Sequence, residues 1–522
     1  ARPADAEGSA EDVFRDPEQR DARGYILPSS QLDFPAATRF LNTLMKAGVE
    51  VQRASRDFSA GGKRYRKGSY VVKAAQAFRA HVLDMFEPQW HPDDVGQGGE
   101  PLRPYDSAGW TLAMQMGVVF DRVLDGFEGP FERLRDFAPT PAGSVSDGQV
   151  GWLMSHKDSN SYRCTNRLLA KGERLYWMKE ADRHPFASYP AGTVFVRRGP
   201  HTRQRLEVLA KELGVTFHGL DRRPGGPCLE LGKPRIGLFD VYGGNMPTGW
   251  TRWALEQFEF PVEPVFGKRI QEGELERDYD VLIFHTGLPR TPAQARARAA
   301  GGRGSGRRRR ARSPVTPEEA RRVAAALPPF EDWSGVAERL VQLTHEESIP
   351  VLRSFVEAGG TILALGGQAT ALSDHFRLPI REGTWKDEEG EERRTKRSEF
   401  FIPGSLLRVE VDTGELLGYG MPERCTAMFR RSPVFRIDRH RDDAARVSVA
   451  VRYAREDLLA SGWAIGEEYL EGLAAVLSVR LGKGRVHLYG ADVMYRGQPW
   501  STFKLVFNGI LGAAAKELDE LR

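Results

Sequence analysis

Cysteine is scarce: Cys164, Cys228 and Cys425 are the three in the whole chain. They lie far apart, so neither a disulfide framework nor a C-x-x-C zinc site can be drawn, and at most one disulfide can form. Long apolar runs are missing as well. No stretch of about 18 apolar residues occurs, which argues against a membrane-spanning helix. None of the eleven histidines opens an H-x-x-E or H-E-x-x-H pattern, the spacing that brings zinc ligands and a base together. His345-Glu346-Glu347 and His91-Pro92-Asp93-Asp94 are the nearest acid-flanked cases, and both read as ordinary polar surface. No basic-then-apolar leader stands at Ala1, so the start reads as internal to a longer protein.

What the chain does contain points to a soluble globular protein of several domains. It has 522 residues, of which 40% are hydrophobic and 28% charged. Residues 291–313 hold Arg296, Arg298, Arg303, Arg307, Arg308, Arg309, Arg310 and Arg312 and no acid. Removing these eight charges from a net charge of +4 leaves −4, so the basic character reports one tract. The rest gives no reason to expect a nucleic-acid or membrane partner. The tract lacks aromatics and is rich in Gly and Ala, which favours a flexible surface insertion over an anion-binding arm.

The order of the patterns defines an α/β protein. Residues 1–23 show no periodic apolar face and read as a linker or tail. From Gly24, a strand at Tyr25-Ile26-Leu27, a helix opened by Pro35 and closed at Gly48, and alternating Val49 and Val51 make a β-α-β opening. An internal echo follows, in which Tyr65-Arg66-Lys67-Gly68-Ser69-Tyr70-Val71-Val72 is answered by Tyr189-Pro190-Ala191-Gly192-Thr193-Val194-Phe195-Val196. Each copy feeds a helical pattern, 74–85 and 202–213, so residues 24–145 and 146–232 are expected to be related α/β modules. From Lys233 the order strand, helix, strand, helix, strand implies an open, mostly parallel three-layer sheet domain over 233–522. A grafted antiparallel β portion is expected at about 400–460, and a closing helix at 502–521.

Candidate sites follow from that order. The loop 240–249, between a strand and a helix at 250–258, reads most plainly as a connecting loop; the functional alternative is that its backbone N–H groups hold an anion, with Thr248, Thr251 and Arg252 as ligands. Leu365-Gly366-Gly367-Gln368-Ala369 has the outline of a nucleophile elbow with its apex at Gly367 or Gln368, neither of which can attack a carbonyl. The plainer reading is a glycine turn where a Cβ would clash. His285 lies at the end of a buried strand, where ligand sites of open α/β sheets gather, although a satisfied structural histidine is the plainer reading. Arg252, His285 and Gln368 are expected to line one cleft.

The motifs Gly249-Trp250-Thr251-Arg252-Trp253-Ala254-Leu255-Glu256-Gln257-Phe258, Phe355-Val356-Glu357-Ala358-Gly359-Gly360-Thr361 and Arg496-Gly497-Gln498-Pro499 with Thr502-Phe503-Lys504 resemble the C-terminal region of large bacterial zinc carboxypeptidase-family proteins. There a carboxypeptidase A-like domain precedes a module similar to class I glutamine amidotransferases. Pro104-Tyr105-Asp106 with Gly109-Trp110-Thr111 looks like the stretch joining the two. The resemblance implies a catalytic zinc domain outside this chain, no cofactor and no catalytic residue within it, and a periplasmic or secreted location. It implies an accessory role, packing against the missing peptidase domain or binding a peptide or glycan. The alternatives are a hydrolase or amidotransferase with an unrecognised site, such as His285 with Ser373 or Glu357, and nucleic-acid binding through the arginine tract.

Overall fold

The computed structural model describes residues 16–17, 20–180, 182–184, 187–291, 316–326, 334–388 and 391–521. Most of the tail 1–23 and all of the arginine tract beyond Thr291 lie outside the described residues. Two compact units form, one from Ala1–Pro88 with Thr111–Pro141 and one from Gln89–Trp110 with Ala142–Arg522. Residues 146–232 and 233–522 both belong to the second unit.

In the first unit, strand β1 (Gly24–Leu27) leads into helix α1 (Phe34–Lys46). Asp33 caps that helix by accepting from the Ala36 amide at 3.3 Å, and Phe40, Leu41 and Leu44 form its buried stripe. Strand β2 (Gln52–Ala54) begins later than the alternation suggested. Val49 and Val51 are the buried approach to it, and pairing starts with Gln52 opposite Val71. A hairpin, β3 (Phe58–Ala60) with β4 (Lys63–Tyr65), precedes β5 (Tyr70–Lys73). The following helix, α2 (Arg79–Phe86), starts after the expected Ala74, because the Ala74 amide still bonds to Arg23 O and prolongs the strand. With β6 (Asp121–Val123) and β7 (Phe131–Arg133) the sheet runs β6-β1-β5-β2-β7. The β-α-β opening is therefore split, with β5 inserted antiparallel between β1 and β2.

The second unit repeats this topology. Strands β8 (Gly151–Met154), β9 (Leu175–Met178), β12 (Val194–Arg197), β13 (Phe217–Leu220) and β14 (Cys228–Glu230) run in the order β13-β8-β12-β9-β14. Helices α3 (Asn160–Ala170) and α4 (Thr202–Leu213) and the hairpin β10 (Asp182–His184) with β11 (Ala187–Tyr189) fall at the matching places. The echo occupies the central strand of each sheet. Gly68 and Gly192 stand at φ 87° and 85°, values at which a Cβ is strained. Their amides bond to Ala54 O at 2.8 Å and Met178 O at 2.7 Å, the last residues of β2 and β9. The next hydroxyls, Ser69 and Thr193, each turn back to a carbonyl three residues earlier.

Strand β15 (Ile236–Phe239), helix α5 (Met246–Gln257), strands β16 (Val262–Val265) and β17 (Val281–Phe284), helix α6 (Ser348–Ala358), strand β18 (Thr361–Leu365) and helix α7 (Gly367–Phe376) then alternate. The antiparallel portion supplies β19 (Ser405–Val411), β20 (Arg424–Phe429), β21 (Val447–Tyr453) and β22 (Ala474–Leu481), after which β23 (Gly484–Tyr489) returns to the parallel part. They form one continuous path, β16-β15-β17-β18-β23-β22-β21-β19-β20. Pairing is parallel from β16 to β23 and antiparallel beyond. On β17, Leu282 and Phe284 join the cluster with Leu352, Phe355 and Leu372 of α6 and α7, while Val281 and Ile283 are buried on the other face. The fold is α/β, an open mixed sheet with an antiparallel extension.

The closing helix is shorter than the sequence suggested. Helix α8 (Trp500–Ala513) gives way to strand β24 (Lys516–Leu518), which pairs antiparallel with β14, Cys228 opposite Leu518. An unpaired edge at β14 would leave backbone groups exposed, and β24 covers it. Every residue of α8 from Trp500 to Leu511 is buried. Asn508 lies among them with all four bonds made. Its Oδ1 accepts from His156 Nε2 at 2.9 Å and Tyr162 OH at 2.8 Å, and its Nδ2 donates to Leu417 O and Tyr419 O at 2.9 and 2.8 Å. Replacing Asn508 with Leu strips partners from four buried groups. It should destabilise the chain by at least about 3 kcal/mol in urea unfolding, whereas Thr43→Ala on exposed α1 surface should stay within about 0.5 kcal/mol.

Candidate functional site

The carboxyl ends of parallel strands are the usual ligand edge of such sheets, and β15, β17, β18 and β23 end side by side. After β15, Gly243 and Gly244 turn the chain at φ 84° and 64°. Helix α5 then starts at Met246, four residues before the expected Trp250, because Asn245 caps it by accepting from the Thr248 amide at 3.1 Å, with Pro247 in the first turn. Thr248 is thereby buried, and its hydroxyl accepts from Asn245 Nδ2 at 2.8 Å. Thr251, one turn on, is fully buried and donates to Pro247 O at 3.0 Å. That leaves its lone pairs for Nδ1–H of His285 at 2.9 Å. Desolvation lowers the His285 pKa to about 4, so the ring is neutral at pH 7. Gln368 Oε1 accepts from the Leu288 amide at 2.8 Å and ties the loop after β17 to the start of α7.

Thr251 and His285 thus meet, and Gln368 holds the loop that follows His285. Arg252 does not join them. Its guanidinium pairs with Glu256 at 2.7 Å along the exposed side of α5. The pairings drawn for a hydrolase are not made either. His285 follows the carboxyl end of β17, whereas Glu357 precedes the amino end of β18 and pairs with Arg353 at 2.8 Å. The His285 Nδ1 bond goes to Thr251 rather than to Ser373.

The elbow itself differs in detail from the expectation. Its apex is Gly366, at φ 57° and ψ −131°, with helix α7 beginning at Gly367. A Cβ added at Gly366 or Gly367 would meet nothing within 4 Å, so crowding does not require glycine here. At Gly366 the backbone conformation does, since L side chains avoid that region. The Gly366 amide bonds to Tyr489 O at 2.8 Å, which locks the elbow to the last residue of β23.

Beyond β23 lies a cluster that the motif search did not assemble. Asp106 takes a two-pronged contact from Arg496, at 2.8 and 2.7 Å, and lies 3.4 Å from Arg430. Arg496 lowers the Asp106 pKa. Partly buried Asp492 is pushed up to about 6 by desolvation, against the pull of Arg430 and Arg496. Trp250 and Trp253 of α5, 39% and 37% exposed, cross at 86° and pack over Gly497. Asp106 and Arg496 are 390 residues apart, so no local spacing could join them. Among the described residues no three His, Cys, Asp or Glu side chains gather to hold a metal, and no helix is long and apolar enough to cross a membrane.

No protein-family model and no curated protein matches the chain. Solved structures do. PurLQS from Thermotoga maritima is 15% identical, covering 54% of this chain and 98% of its own, with a TM-score of 0.30. A protein from Thermoplasma acidophilum, described as a GMP synthase subunit, is 12% identical over 54% and 94%, with a TM-score of 0.29. A glutamine amidotransferase from Thermotoga maritima is 10% identical over 54% and 96%, with a TM-score of 0.26. Amidotransferase-like proteins are thus among the structural neighbours. At such scores neither an activity nor a site is carried over.

Two outcomes are expected. Gly366→Ala should cost about 1–3 kcal/mol despite the free space, and Gly367→Ala, already in a helix, should cost nothing measurable or stabilise slightly; denaturant midpoints separate the two. Buried His156 and His487, lowered to about 3, and His285 remain neutral when folded and titrate near 6.5 when unfolded. Their contribution is present above pH 6.5 and lost as pH falls toward 3. Asp492 acts oppositely, favouring the fold at low pH and losing that contribution between about 4 and 6. With three groups against one, the thermal midpoint should drop steadily below pH 6.5, and His487→Phe should flatten the slope.

Proposed function

We propose that this chain is a non-catalytic accessory region of a zinc carboxypeptidase-like protein, ending in a degenerate amidotransferase-like module whose crevice binds rather than reacts. One observation carries the reading: the strand-turn-helix elbow is formed, and its apex is Gly366, which has no side chain to act as nucleophile. The cysteines do not substitute for it, since Cys164 and Cys228 are buried and burial raises the Cys425 thiol to about 12. The neutral, hydrogen-bonded His285 is in keeping with a structural post at the crevice wall. Exposed Trp250 and Trp253, on the same helix as Thr251 and packed over Gly497, offer aromatic faces suited to a peptide or glycan. The zinc and its ligands belong to the peptidase domain outside this chain, and the location is periplasmic or secreted, as the motifs at 249–258 and 496–504 imply.

The chain should release no ammonia from L-glutamine and no C-terminal residue from peptides in the presence of zinc. Ammonia release, or chelator-sensitive peptide cleavage, overturns the reading. An open reading frame upstream of the Ala1 codon should encode H-x-x-E, and a frame without it removes the carboxypeptidase parentage while leaving the binding role to be judged by the assays.

A further inference from the structure

A second concave site lies at the other end of the sheet. Phe376 closes α7, and Leu481 pairs with Gly484 at the amino end of β23. Between them is a depression of about 380 Å³ on which Arg480 and His375 border and whose lining includes four further arginines, Arg353, Arg377, Arg441 and Arg446, with a single carboxylate, Asp443. Two of these arginines have structural work. Arg353 pairs with Glu357 at 2.8 Å and donates to Phe376 O at 3.2 Å. Arg441 pairs with Asp443 at 3.0 Å and donates to Leu378 O and Arg377 O at 3.2 and 2.8 Å. These bonds satisfy carbonyls at the end of α7 and fix both guanidinium planes.

Helix capping does not account for the other two. The guanidinium groups of Arg377 and Arg446 have no hydrogen bond or ion pair to any described side chain or carbonyl, and both residues are exposed at the rim. Arg377 also sits at φ 50°, at the helix C-cap where glycine is the unstrained choice. A strained backbone that keeps a guanidinium over a cavity already lined by two fixed ones points to a use for the charge. Fixed guanidinium forks flanked by free ones match phosphate oxygens better than a single carboxylate.

We propose that this depression binds a small phosphate compound carrying at least two phosphoryl groups, with Arg377 and Arg446 as the ligating residues and Arg353 and Arg441 as the fixed floor. The proposal is independent of the crevice at the carboxyl ends. Inorganic pyrophosphate is the probe. The thermal midpoint of the whole chain should rise saturably with pyrophosphate, and the double variant Arg377→Gly/Arg446→Ala should bind about tenfold more weakly or worse. Arg377→Gly relieves the strained φ, so the double variant should fold with an unchanged or higher midpoint without ligand. Arg424→Ala, an exposed arginine on β20, should bind as the parent does. No saturable rise, or an undiminished rise in the double variant, overturns the site. An equal rise with sulfate at the same concentration overturns the assignment to a two-phosphate ligand.

Discussion

Four hydrogen bonds to one buried amide hold the second unit together. Asn508 lies in a helix with no solvent face, and its four bonds reach three different parts of the chain: the segment just after β8 through His156, α3 through Tyr162, and the short turn at Leu417 to Tyr419 through two carbonyls. A polar group at that depth is tolerable only when fully satisfied, and the satisfied arrangement exists only when the repeated module, the antiparallel extension and α8 are all in place. The aromatic packing around it is non-directional. Tyr162 and Phe258 both touch Phe507, but such contacts permit many registers. The amide permits one.

That fixed core explains why the carboxyl edge can be rigid without being reactive. The Gly366 amide is tied to Tyr489, the His285 ring to Thr251, and the loop after β17 to Gln368, so three of the strand ends are stitched through backbone or side-chain bonds. Such stitching consumes the polar groups that chemistry would need. Asp492 is the exception in character, a half-buried acid raised toward neutrality, yet the charges acting on it are those of Arg430 and Arg496 rather than of an elbow side chain. Preorganisation of this kind suits recognition.

Much of the fold was legible because its signals are local. The helix 202–213 with its Gly214 cap, the buried run at 281–284 and the echo about Gly68 and Gly192 all follow from period, cap and turn chemistry. The misplacements have common causes. Asn245 and Pro247 started α5 early, which apolar periodicity at Trp250 could not reveal, and the late start of α2 depends on a bond to Arg23 from outside the segment. Strand β5 between β1 and β2, and β24 in place of a last helical turn, are choices of pairing partner. At the site, Thr251 and His285 were found by strand order, but Arg252 was assigned by helix position without regard to Glu256, an i, i+4 partner visible in the sequence. The Asp106 and Arg496 pair depends on chain tracing across the whole unit.

Strand β24 gives the module at 146–232 an unusual status. Its sheet is completed by residues synthesised nearly three hundred positions later, so the module cannot finish folding on its own during synthesis. Until Lys516–Leu518 are in place, β14 presents a bare edge to any neighbouring strand, so completion of this sheet waits on a segment remote in the chain.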